Sequence, residues 1–170
     1  MEKYIIVIII IIFLFFIKHV LNKWSKQKYE NLLKNILSEL NKPFQLSHSK
    51  NKAYDFIIET DQEIIICKLF KLNRNEKLNI TNKTTWIKTK KSDSIHINNR
   101  IKEVEAFVEI DFSKQDKTQY KIAILYPGVL QIRQFINENE MKIVDLNTTI
   151  YDYCFLTIET LKKGIHSLIK

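Results

Sequence analysis

Residues 4–17 (YIIVIIIIIFLFFI) form an unbroken apolar run at the head of the chain, and no other feature limits the possible folds as much. A soluble helix is apolar on one face, whereas this stretch is apolar at every position. Fourteen residues are fewer than the roughly 20 that a bilayer span needs. Lys18 and His19 are followed by Val20 and Leu21, however, and side chains that snorkel to the headgroups extend the apolar stretch to residue 21. Trp24 falls where an interfacial aromatic belongs, and no small-residue cleavage site marks a removed secretory signal. The expectation is a membrane anchor within residues 1–23, touching lipid through residues 4–21, followed by one domain in residues 24–170. Lys18, Lys23, Lys26 and Lys28 on the C-terminal flank outnumber the single Lys3 before the run. Positive flanks stay inside, so the expected topology is a single pass of the plasma membrane, with the N-terminus outside and the domain cytoplasmic.

A domain of this size builds a core without disulfides or metals. Cys67 and Cys154 sit in apolar runs (IIICKLF and YDYCFLTI) and read as buried thiols in a reducing compartment. His19, His48, His96 and His166 are scattered without ligand spacing, so no metal site and no cofactor are expected. With two glycines in the whole chain, neither a dinucleotide-binding loop, nor a P-loop, nor a GxSxG elbow can be built.

Residues 24–40 carry Tyr29, Leu32, Leu33, Ile36, Leu37 and Leu40 at helical spacing and stop at Asn41-Lys42-Pro43. Residues 54–59 (YDFIIE) and 64–72 (IIICKLFKL) read as a hairpin across the polar turn 60–63. A third strand is expected within 78–87, then a polar loop at 88–93. Ile97, Ile101, Val104 and Val108 mark a helix that Asn98 or Asn99 would cap. Residues 120–126 (YKIAILY) form a strand ended by Pro127-Gly128. Val129, Ile132, Phe135 and Ile136 predict a short helix, 141–144 a strand, and 155–169 a last helix. The fold class expected is α/β, an α+β mixed sheet flanked by helices and preceded by the transmembrane helix.

The element order, with Asp55 in AYDFIIE on one strand and Lys68 in IIICKLF on the next, resembles the restriction-endonuclease-like PD-(D/E)xK family. That resemblance covers residues 24–144. It implies metal-assisted phosphodiester hydrolysis, in which carboxylates hold Mg²⁺ and the lysine orients the attacking water. It makes Asp55 and Lys68 the candidate catalytic residues. The acid expected two positions before the lysine is replaced by Ile66, so the resemblance is to a degenerate member. Glu30, Glu59 and Glu63 are the carboxylates that could have migrated to replace it. A plainer reading makes Asp55 and Lys68 cross-strand polar neighbours on the wetter face of a hairpin.

Charge is segregated along the chain, whose formal net charge is +8. Residues 18–53 hold eight lysines against two acids, and 68–91 hold eight Lys or Arg against Glu76 alone. Residues 54–67 between them carry four acids and no base. Such a surface suits phosphate, on nucleic acid or on anionic lipid headgroups, as well as simple solvation. In residues 83–91 (KTTWIKTKK), Lys83, Trp86, Lys88, Lys90 and Lys91 are the candidate contacts, with Trp86 also suited to the core. The expectation is a tethered domain of nuclease-like fold that binds nucleic acid or a protein partner without cutting. The alternatives are an active Mg²⁺-dependent nuclease and a structural protein on the inner leaflet.

Overall fold

The computed structural model describes residues 2–39, 42–49, 53–90, 99–111, 116–137 and 139–169, with the side chains of residues 2, 3, 5–9, 18, 19 and 21–26 outside that description. The chain parts into two units, Met1–Asn41 and Lys42–Lys170.

The first unit is one helix, α1 (Glu2–Ser38). At 1.5 Å per residue it is about 55 Å long. Residues 10–17 are all large, apolar and exposed, between 37% and 69%. Eight residues cover more than two turns, so the exposed apolar surface runs round every side of the helix. Toward the C-terminal end the pattern becomes one-sided. Tyr29, Leu33, Ile36 and Leu37 are buried, while Lys34 pairs with Glu30 at 2.7 Å. Among the described residues no helix is long and apolar enough to cross a membrane; the side chains of residues 5–9, inside the apolar run, lie outside that description.

The second unit contains β1 (Gln45–His48), β2 (Phe56–Glu59), β3 (Glu63–Leu72), β4 (Lys77–Asn82), β5 (Thr85–Thr89), α2 (Glu103–Val108), β6 (Thr118–Pro127), β7 (Gln131–Phe135), β8 (Met141–Val144), β9 (Thr149–Ile150), β10 (Tyr153–Thr157) and α3 (Ile158–Leu168). It is a mixed α+β fold with two mixed sheets, ordered β1-β2-β3-β6-β10-β9 and β5-β4-β7-β8. In the first sheet β1, β2 and β3 form an antiparallel meander, and β6 and β10 continue it parallel to β3. In the second, β4 and β7 are parallel and each carries an antiparallel edge partner.

Strand β3 is long and apolar because it is central and covered on both faces. Its alternate residues Ile64, Ile66, Phe70 and Leu72 enter the main core, together with Ala123 and Leu125 of β6 and Tyr153 and Phe155 of β10. Leu78, Ile80, Trp86, Ile132 and Val144 of the second sheet, and Val104 and Phe107 of α2, join that cluster, with Ile101 and Ile150. The rings of Phe70, Trp86, Phe107, Tyr153 and Phe155 meet at its centre, with centroids 5.0–6.5 Å apart. The opposite face of the first sheet carries α3, whose Gly164 lies against Leu156 of β10.

Several expectations change. Residues 131–135 are a strand, whereas the spacing of Val129, Ile132, Phe135 and Ile136 predicts a helix. A short apolar segment fits either period, and pairing with β4 on one side and β8 on the other decides it. The final helix begins at Ile158, because residues 153–157 pair with β6 and are buried on both faces. The expected third strand is a hairpin of β4 and β5, and β5 takes in Lys88 and Thr89 from the expected loop. It belongs to the second sheet, and β1, with its weak pattern QLSH, supplies the third meander strand. The helix expected from Ile97 is described only as α2; residues 91–98 lie outside the description.

Candidate functional site

The ladder between β2 and β3 pairs Phe56 with Cys67 and Ile57 with Ile66, and Asp55 N–H extends it by donating to the Cys67 carbonyl at 2.9 Å. That register sets Asp55 opposite Lys68. Lys68 Nζ lies 3.4 Å from Asp55 Oδ2, and the side chains are 8% and 5% exposed. The same oxygen accepts the Leu69 N–H at 2.9 Å. The two candidate residues therefore meet, but as a buried ion pair and not on the wetter face of the hairpin. Burial raises the cost of separating them, because a lone charge there would have neither water nor counter-ion.

Ile66, in the position of the missing acid, is fully buried in the core between Ile57 and Lys121 in register. Each of the three alternative carboxylates holds a partner of its own. Glu59 is four residues along the same strand from Asp55, about 13 Å, and holds Lys117 Nζ at 2.6 Å. Glu63 is buried and bonded to the Thr60 hydroxyl. Glu30 pairs with Lys34 in the first unit. Among the described residues no group of three or more His, Cys, Asp or Glu could hold a metal ion.

The candidate contacts in 83–91 do not share one face. Trp86 is fully buried among aromatic rings and is unavailable as a stacking platform for bases. Its place on the inward-facing side of β5 follows from the period of two. Lys83 is exposed in the β4–β5 turn, and Lys90 is exposed beyond the far end of β5. Lys88 Nζ donates to the Lys71 carbonyl at 2.7 Å; Lys91 lies outside the described residues. A better clustering of cations surrounds the β3–β4 turn. There Lys71, Arg74 and Lys90 are exposed beside Lys88, next to an open hollow of about 660 Å³ lined by Asn73, Asn75, Glu76 and Lys90.

Comparison with protein-family models, with curated proteins and with solved structures finds no match for this chain. Its chemistry is therefore argued from its own residues. The two thiols are free and buried, and both register with Ile122 from opposite sides, Cys67 through β3 and Cys154 through β10. Two strand spacings, about 9.6 Å, separate them, too far for a disulfide. Burial pushes both thiols up from their ordinary pKa, with the Asp55 carboxylate adding to the effect on Cys67, so neither is a ready nucleophile.

One polar residue of the core face escaped the sequence reading. Lys121 of β6 registers with Ile66 on one side and Tyr153 on the other. Its Nζ donates to the Val108 carbonyl at 2.8 Å and stands 5.9 Å from the centre of the Tyr153 ring. Burial, and then the Lys83 ammonium, lower its pKa from the ordinary lysine value, against the opposing pull of Asp111 and Asp152. The signal was present in YKIAILY, where alternation puts Lys121 on the same face as Ala123 and Leu125.

Proposed function

We propose that this chain is a membrane-tethered domain of degenerate nuclease-like fold that binds nucleic acid without cutting it. The observation that carries this reading is the meeting of Asp55 with Lys68 across the β2–β3 ladder, beside a buried Ile66. The antiparallel meander β1-β2-β3 followed by parallel β6 is the support for a restriction-endonuclease-like core. A phosphodiesterase of that class needs carboxylates to hold Mg²⁺ and a lysine aimed at water. Here the lysine is engaged by the one carboxylate, and an isoleucine fills the place of the second. What remains is the basic surface, for which Lys71, Arg74 and Lys90 around the β3–β4 turn are the proposed phosphate contacts.

The tether rests on residues 10–17, which are apolar and exposed on every side of α1. No single protein groove covers all sides of a helix, whereas hydrocarbon does. The lysines that follow the apolar run support a domain on the cytoplasmic side.

The test uses the full chain in detergent with labelled DNA and RNA, with and without Mg²⁺ or Mn²⁺, over a salt series. The expected result is binding that weakens as salt rises, no cleavage, and weaker binding when Lys71, Arg74 and Lys90 are replaced by Glu. Metal-dependent cleavage that disappears in Lys68→Ala would make the chain an active nuclease. Absence of binding at moderate salt would remove nucleic acid and leave the inner leaflet or a protein as the partner.

A further inference from the structure

Strand β8 closes one end of the second sheet: β7 pairs with it on one side and, among the described residues, no strand lies on the other. The opposite end of that sheet is guarded, since Arg100 bridges to Ile87 of β5 and the Ile101 N–H donates to the Trp86 carbonyl at 2.9 Å. The Ile136 N–H donates to the Glu140 carbonyl at 3.0 Å, which fixes the phase of the β7–β8 ladder. Bonded pairs alternate with unbonded ones in an antiparallel ladder. Lys142 and Val144 therefore turn their backbone groups toward β7, while Met141 and Ile143 turn theirs outward. The same two residues are 41% and 57% exposed, and they share one face of the sheet with Phe135, which is opposite Met141. An edge with open backbone groups and exposed apolar side chains is a template for another strand.

We propose that this edge takes β8 of a second copy of the chain, laid antiparallel about a twofold axis at Met141, so that two four-stranded sheets become one. Charge selects both the occupant and the register. A twofold axis between antiparallel neighbours stands normal to the sheet, so it passes at a residue that meets its own copy. The exposed residues of β8 offer three such centres. Centred on Lys142, the pairing sets two ammonium groups opposite each other, which is destabilising. Centred on Ile143, it sets Met141 against the charged Asp145, whose carbonyl already accepts the Thr148 N–H at 3.2 Å. Centred on Met141, it lets that residue exchange both outward backbone hydrogen bonds with its copy. Lys142 then faces Glu140 of the second copy on either side of the axis, and both side chains are exposed. Two opposite-charge pairs flank the methionines, so the strand complements itself in this register.

The test uses the full chain in detergent, with introduced cysteines and dibromobimane, which bridges two thiols only at close range. Cys67 and Cys154 are buried and common to every variant, and each substituted side chain is exposed, so the fold is kept. In the proposed register the two Met141 Cα atoms are about 5.5 Å apart, and the two Ile143 Cα atoms, displaced by four residues, roughly 14 Å. Met141→Cys is expected to give cross-linked dimer severalfold faster than Ile143→Cys. Lys142→Glu added to Met141→Cys should slow that reaction severalfold, because acids then face each other twice, and Glu140→Lys added to both should restore it. No dimer from any variant, a rate at Ile143→Cys equal to or above that at Met141→Cys, or a rate indifferent to Lys142→Glu overturns the proposal. So does a Lys142→Glu loss that Glu140→Lys leaves in place. Equal rates at the two positions are what association through α1 alone would give.

Discussion

Asp55 and Lys68 each stabilise the other's burial, and the consequence is measurable. Removing one member of a buried pair leaves an uncompensated charge, which typically costs about 3–5 kcal/mol. Asp55→Asn and Lys68→Met are each expected to destabilise the domain by roughly 3 kcal/mol, and the double variant by much less than the sum. Urea unfolding followed by the fluorescence of buried Trp86 measures all three, and additive losses would show that the pair is not coupled. Tyr153 offers a second test. Its hydroxyl is buried without a hydrogen-bond partner among the described residues, and burial, then Asp152, push its pKa from 10.0 up to about 12. Below pH 10 the phenol is neutral in both folded and unfolded chain. Between pH 10 and about 12 only the unfolded chain ionises, so stability falls across that window. Tyr153→Phe is expected to remove this contribution to the fall and to raise stability at neutral pH by about 1 kcal/mol; unfolding curves at pH 8 and pH 11 check both.

Among the elements, α3 and β10 are joined most tightly at one residue. A Cβ on Gly164 would lie 2.6 Å from both terminal methyls of Leu156, itself fully buried. Alanine improves helix propensity by about 1 kcal/mol, but overpacking a filled site costs about 1–3 kcal/mol. Gly164→Ala is therefore expected to lower the unfolding midpoint, and Leu156→Val placed with it to recover part of the loss. A midpoint raised by Gly164→Ala alone would mean that α3 can move away from the sheet at little cost. The N-terminus of the same helix shows how a boundary is set locally. The Thr157 N–H donates to the Thr160 hydroxyl at 2.9 Å, so the chain turns from strand to helix within one step. From sequence, residues 155–157 read equally well as the start of the helix, because a run of apolar residues carries no period of its own.

For the whole molecule, the proposed tether predicts behaviour that a peripheral protein would not show. The chain is expected in the membrane fraction after high-salt and alkaline washes. Ile11→Lys together with Leu14→Lys should release much of it, since each lysine near the centre of a span costs about 3 kcal/mol of insertion. A fluorescent reporter at the C-terminus should sit on the cytoplasmic side; an extracellular signal would reverse the topology. Retention of the double variant in the washed membranes would sink the tether and move attention to the basic surface of the domain.

Some of this protein was legible one residue at a time. The helix apolar on every face around residues 10–17, strands β3 and β6, the buried thiols and the segregated charge were all readable from local pattern, because each depends on residues near one another in sequence; whether Asp55 and Lys68 face each other was not. The tertiary structure decided the rest. It made 131–135 a strand, split the strands into two sheets, drew QLSH into the meander, turned Trp86 inward, buried the Asp55–Lys68 pair and set Lys121 beside Ile66. Each of these rests on hydrogen bonds and contacts between different strands, several of them tens of residues apart, such as β3 with β6 and β4 with β7. Local propensity differs between the competing states by less than such pairing contributes, so the partner strand settles the outcome.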